Sequence, residues 1–135
     1  LQDFALDGVG RPVEPNMMSK MSGREGSLVT ASGKVMPELE LQRDGGLRLR
    51  IVNASSSRFY RLSIEEHPLH VVATDGGFLA APESHDEILV TPGERVEVMV
   101  AGDREPGEYG LWSLPYNRGG MGMGMMGGSA LSTPI

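Results

Sequence analysis

Three stretches of the chain alternate apolar and polar side chains with a period of two. Leu47, Leu49 and Ile51 share one side, and Arg48 and Arg50 take the other. Tyr60, Leu62 and Ile64 repeat the pattern against Arg61 and Ser63, as do Val96, Val98 and Val100 against Arg95, Glu97 and Met99. Successive side chains of a strand point to opposite faces, so each stretch predicts a half-buried β-strand. Turn signals fall between them: Ser32-Gly33-Lys34, Arg43-Asp44-Gly45-Gly46, Asp75-Gly76-Gly77, Pro92-Gly93-Glu94 and Pro106-Gly107-Glu108. Glycine reaches positive φ without penalty and proline presets φ at about −65°, which suits tight reversals. No long stretch carries a helical stripe. The pattern predicts an all-β fold, about six to eight strands in two packed sheets.

The flanks of this region differ from it. Residues 1–27 hold Gly8, Gly10, Pro12, Pro15, Gly23 and Gly26, with methionines at 17, 18 and 21. They predict an extended interdomain connector with at most a short strand over residues 4–6. Residues 28–114 form the β-domain. Residues 115–135 are rich in glycine and methionine and predict a connector to a following domain. The chain opens on Leu1-Gln2-Asp3-Phe4, without a charged region followed by an apolar one. The expectation is a piece of a longer protein.

A length of 135 residues suits one such domain. Twelve basic against 18 acidic residues give a net charge of −6, the wrong sign for a nucleic-acid partner. Arg48, Arg50, Arg58 and Arg61 cluster, but Glu65 and Glu66 follow, which predicts a solvated or interdomain ion-pair face. The absence of cysteine removes disulfides, thiolate metal sites and cysteine nucleophiles together. No run reaches the roughly 18 apolar residues that would span a bilayer as a helix.

In this order along the chain stand Gly23-Arg24-Glu25-Gly26, Val52-Asn53-Ala54-Ser55, Arg58-Phe59-Tyr60-Arg61-Leu62 and His67-Pro68-Leu69-His70. They are followed by Ala73-Thr74-Asp75-Gly76-Gly77-Phe78, Thr91-Pro92-Gly93-Glu94-Arg95-Val96-Glu97-Val98, and Leu114 to Met123. The series resembles the second, middle cupredoxin domain of bacterial three-domain multicopper oxidases of the laccase type. Each piece alone is weak; their order over about three quarters of the chain carries the resemblance. One departure is local, for Ala31-Ser32-Gly33-Lys34 stands where the family usually has Asn-Gly, the natural type I′ hairpin turn.

The resemblance implies a Greek-key β-sandwich whose partners are flanking cupredoxin domains of the same polypeptide, in the periplasm or outside the cell. Such oxidases take electrons singly from phenols or metal ions at a type 1 copper. They pass them to a trinuclear cluster that reduces dioxygen to water. The copper ligands lie in His-X-His and His-Cys-His motifs of the first and third domains, and none occurs here. The middle domain therefore carries no copper; copper belongs to the parent protein. A second expectation is a copper-less relative that keeps the frame as a periplasmic scaffold. A third is a small Cu(I)-binding module that works through methionines.

Individual residues follow from these alternatives. His67 and His70, three apart on a strand, face opposite sides unless Pro68 kinks it, so one should be packed and one exposed. A metal site would need Asp75 or His85 beside them, and nothing in the spacing demands either. His85 sits in Glu83-Ser84-His85-Asp86-Glu87, expected to be a solvated polar loop. Met121, Met123, Met125 and Met126 are the Cu(I) candidates, because thioethers are soft ligands. The competing expectation is that they pack in a connector or interface. No serine-based nucleophile motif or phosphate loop appears, and no catalytic residue is expected. Trp112 and Tyr116 should fill a core or interface. Apolar patches near Met17, Met18, Trp112 and Tyr116 would permit self-association of the isolated piece.

Overall fold

The alternating stretches form strands where period two puts them. The structure, a computed structural model, describes residues 1–116 and 132–135. Its elements run β1 (Gln2–Phe4), α1 (Met17–Ser22), β2 (Leu28–Thr30), β3 (Gly46–Val52), β4 (Tyr60–Ile64) and β5 (Leu69–Thr74). β6 (Gly77–His85), β7 (Ile88–Val90), β8 (Arg95–Ala101), β9 (Leu111–Leu114) and β10 (Thr133–Pro134) follow. Among the described residues these strands make two four-stranded sheets, ordered β3-β8-β5-β6 and β10-β9-β4-β7, and a two-stranded sheet β1-β2.

The inward phase of each strand builds the core between the four-stranded sheets. Leu69 and Val71 of β5, with Val96, Val98 and Val100 of β8, cluster with Tyr60 and Leu62 of β4 and Val90 of β7. Full burial of one such side chain contributes about 1.5–3 kcal/mol. The outward phase of β3 and β8 is charged: Arg48 stands opposite Met99 and Arg50 opposite Glu97.

Two backbone positions depend on their residue type. Ser32 and Gly33 have φ of 51° and 77°, and Ala31 and Lys34 exchange backbone hydrogen bonds of 2.9 and 3.0 Å. Positive φ at both central residues marks a type I′ turn. Ser-Gly thus makes the same turn as the family's Asn-Gly. At Gly102 a Cβ would lie 2.1 Å from the Gln42 carbonyl oxygen. Only glycine fits where the end of β8 passes that loop.

The flanks are more ordered than a simple connector. The first strand covers Gln2–Phe4, not residues 4–6, and pairs with β2 in the register Asp3↔Val29. Six residues form α1, whose cap Asn16 accepts a hydrogen bond from the Ser19 N–H. A helix this short shows no stripe in sequence; its cap identifies it. At the other end β10 pairs with β9, and Ile135 joins the buried cluster. The expected loop around His85 is a strand end instead, with His85 opposite Leu69 and Ser84 opposite His70. Its residues are polar because β6 lies at the sheet's edge and is mostly exposed. β6 is also irregular: between the pairs Val71↔Glu83 and Ala73↔Phe78, residues 79–82 stand against Val72 alone.

Candidate functional site

The arginines expected on one face divide between interior and surface. Arg58 is buried, although Arg48, Arg50 and Arg61 are not. Its Nε lies 3.3 Å from Asp3 Oδ2, its Nη2 donates to the Gly26 carbonyl at 2.6 Å, and Glu25 Oε2 is 3.9 Å away. Asp3 Oδ2 also accepts from the Gly26 N–H at 2.5 Å. Next to this group, Ser55 Oγ accepts from the Asp3 N–H at 3.0 Å and lies 2.9 Å from the Tyr60 hydroxyl. Asn53, fully buried, donates to the carbonyls of Arg58 and Val90 and accepts from the Ser55 N–H. Burial pushes the Tyr60 hydroxyl pKa up, with the Ser55 hydrogen bond opposing it. Among the described residues no buried side-chain nitrogen or oxygen lacks a partner. This polar bracket ties β1 and the stretch before β2 to β4.

The bracket was missed because arginine suggests solvent, yet a signal existed. Arg58 is in phase with Tyr60, Leu62 and Ile64, which places it inward. Asn53 likewise continues the inward phase of Leu47, Leu49 and Ile51.

The surface arginines do pair. Arg48 and Arg50 both reach Glu97, Arg61 reaches Glu87 at 2.7 Å, and Arg95 meets Asp75 at 2.9 Å. The hydrogen bonds from Arg48 first, and then its charge with Arg50, hold the Glu97 carboxyl below the usual range. Glu65 does not join them. It accepts from the Gly110 N–H at 3.0 Å and the Trp112 indole N–H at 2.8 Å, and both bonds lower its pKa.

His67 is buried, its ring edge-on to Tyr109 at 4.6 Å and its Nδ1 2.8 Å from the Glu65 carbonyl. His70 is half-buried on the outer face of its sheet, where the expectation of one packed and one exposed histidine would, with His67 packed, leave it exposed. His85 is exposed, 3.5 Å from Glu83. Asp75 is committed to Arg95 and is no partner for the histidines. Among the described residues no group of three or more His, Cys, Asp or Glu could hold a metal ion. With no cysteine and no paired histidines, the donor set fits neither a thiolate copper centre nor a histidine-paired cluster. Trp112 is half-buried, and Tyr116 stacks on Phe59 at 5.4 Å. Met17, Met18 and Met21 are 80%, 76% and 83% exposed. The candidates Met121, Met123, Met125 and Met126 lie outside the described residues.

Two facing antiparallel sheets in this order, with a committed polar interior, define a cupredoxin-like Greek-key β-sandwich. The family model described as multicopper oxidase matches residues 8–124. The chain belongs to the multicopper oxidase family. The multicopper oxidase of Campylobacter jejuni, described as a metallo-oxidase, superposes with a TM-score of 0.85 at 28% identity, over 99% of this chain and 27% of that one. The laccase-like multicopper oxidase CueO of Ochrobactrum sp. gives 0.74 at 34% identity, over 83% and 25%. The cell division protein FtsP of Escherichia coli K12 is 41% identical over 103 residues, 74% of this chain and 21% of FtsP. FtsP of Yersinia pestis is 42% identical over 101 residues. The chain thus spans about a fifth of the curated relatives it matches. No helix among the described residues is long and apolar enough to cross a membrane.

Proposed function

We propose that this chain is the middle domain of a larger periplasmic or secreted protein, without the family's type 1 or trinuclear copper ligands, spacing and bracing a cupredoxin domain on either side. The observation that carries this reading is the likeness to a metallo-oxidase over 99% of this chain but 27% of that one. The geometry is consistent with it, since the interior polar groups hydrogen-bond one another and tie the entering strand β1 to the sandwich. Residues 1–27 and 115–135 then link the neighbours to the β-domain of residues 28–114, and the exposed methionines of α1 face one of them.

The parent protein, on this reading, couples one-electron oxidation of phenols or metal ions to reduction of dioxygen to water. A second reading has its own support, because the FtsP relatives are 41–42% identical where the two oxidases are 28–34%. The parent would then be a copper-less scaffold of the same frame. Expressing the uninterrupted reading frame and measuring bound copper with oxygen uptake on a phenol separates the two. Copper with phenol-dependent oxygen uptake supports the oxidase; a folded protein with neither supports the scaffold. A frame without flanking cupredoxin domains removes both.

A further inference from the structure

The outer face of the β3-β8-β5-β6 sheet carries a donor pair that neither reading uses. His70 on β5 stands directly opposite Met99 on β8. Directly opposed residues share a face with their Cβ atoms about 5 Å apart. The imidazole and the thioether also line one shallow groove of about 340 Å³, with Gly45, Gly46, Val72 and Pro82 around them. A side chain at Gly46 would meet the Met99 methyl at 3.2 Å, so glycine there keeps room beside the sulfur.

We propose that His70 and Met99 form a binding site for a soft monovalent cation, Cu(I) in chemical type. An imidazole nitrogen with a thioether sulfur is a soft donor set, and low coordination suits such ions. Hard divalent cations want several oxygens, which this groove does not offer. Its rim is otherwise glycine, valine, alanine and proline. In the strand register the Ser84 hydroxyl stands opposite His70, and the Glu97 carboxylate, two residues before Met99, is engaged by Arg48 and Arg50. Arg48 on β3 stands opposite Met99. It is tied to Glu97 and lies 5.6 Å from the Phe78 ring centroid. An organic ligand would gain little in so shallow a groove, whereas an ion needs only the two donor atoms. The site is independent of the family reading, since it rests on the cross-strand register and the shared groove.

The test uses the 135-residue chain labelled with 13C-methyl methionine, under anaerobic conditions, titrated with Ag(I) as a redox-inert stand-in for Cu(I). The Met99 methyl, assigned from Met99→Leu, and the His70 imidazole resonances should shift together and saturate together. Met99→Leu conserves volume and His70→Gln changes a surface position, so both variants should fold. Each should weaken Ag(I) binding at this face about tenfold or more, the scale seen when ligation is disturbed. Zn(II) should leave the Met99 methyl unmoved. A Met99 methyl that stays still while other methionine methyls respond overturns the proposal. So does an unchanged Met99 response in His70→Gln, or a Zn(II) response at Met99 equal to that of Ag(I).

Discussion

Replacing Arg58 by methionine keeps an unbranched apolar stem and removes the guanidinium. Asp3, with 3% of its side chain exposed, would keep its bond from the Gly26 N–H but lose its buried counter-charge. The Gly26 carbonyl would also lose its 2.6 Å donor. Removing one partner of a buried pair typically costs about 3–5 kcal/mol, because the surviving charge has no compensation. At a urea slope of about 2 kcal/mol per molar, the unfolding midpoint should fall by about 1.5–2.5 M. Trp112, the only tryptophan, reports the transition by fluorescence. Asp3→Asn combined with Arg58→Met removes both charges. The two changes should couple by about 1 kcal/mol or more, with the double variant more stable than the sum of the singles implies. An Arg58→Met protein within about 1 kcal/mol of the parent, or a cycle additive to about 0.5 kcal/mol, would refute a buried ion pair as the tie between β1 and β4.

Glu65 gives a pH test. Its folded pKa lies below the ordinary 4.5 because the Gly110 and Trp112 N–H groups favour the ionised form. It therefore contributes stability at pH above the unfolded value, lost as pH falls through the folded pKa; Glu65→Gln should flatten that part of the acid limb and shift Trp112 emission. Gly102→Ala forces a methyl against the Gln42 carbonyl and should cost about 1–3 kcal/mol in urea unfolding, while Gly76→Ala, where a Cβ meets nothing within 4 Å, should cost less than half as much. Ser32→Asn restores a residue that tolerates left-handed backbone and should stabilise by about 0.5 kcal/mol, read as a raised melting temperature. If Met121, Met123, Met125 and Met126 hold Cu(I), changing all four to serine should lower copper retention against a bathocuproine competitor to what His70 and Met99 alone hold; equal retention removes that expectation.

The strands at residues 47–51, 60–64 and 96–100 were legible because each buries one face and exposes the other, so period two is written into residue type. β6 was not legible at its end. An edge strand with little buried surface can carry Glu-Ser-His, and then looks like a loop. α1 is too short for periodicity to register. The bracket was half-legible: phase turned Arg58 inward, while its charge suggested the surface, and phase prevailed because Asp3 and the Gly26 carbonyl supply partners from distant sequence. That pairing spans 55 residues, and no local pattern encodes it. The His70–Met99 pair was hidden for a similar reason, since cross-strand register is set by turns and pairing rather than by spacing.

The run of residues 79–82 against Val72 bears on how copies of this domain avoid one another. Among the described residues the sheet has two edge strands, β3 and β6, and Leu1 bonds to β3 only at its end, through the Val52 carbonyl. An open edge templates another strand only if it is straight and its N–H and C=O groups alternate without a gap. On β6 the extra residues break the repeat, and Pro82 has no N–H to offer. β3 pairs with β8 without a register break over seven residues, but antiparallel pairing of two copies about Leu49 would set Arg48 against Arg50 across the seam, and like charges directly opposed destabilise a ladder. One edge is blunted by shape and the other by charge. Arg48 and Arg50 thus act against fibre-like stacking, and replacing both by threonine should raise edge-to-edge association, read as increased light scattering.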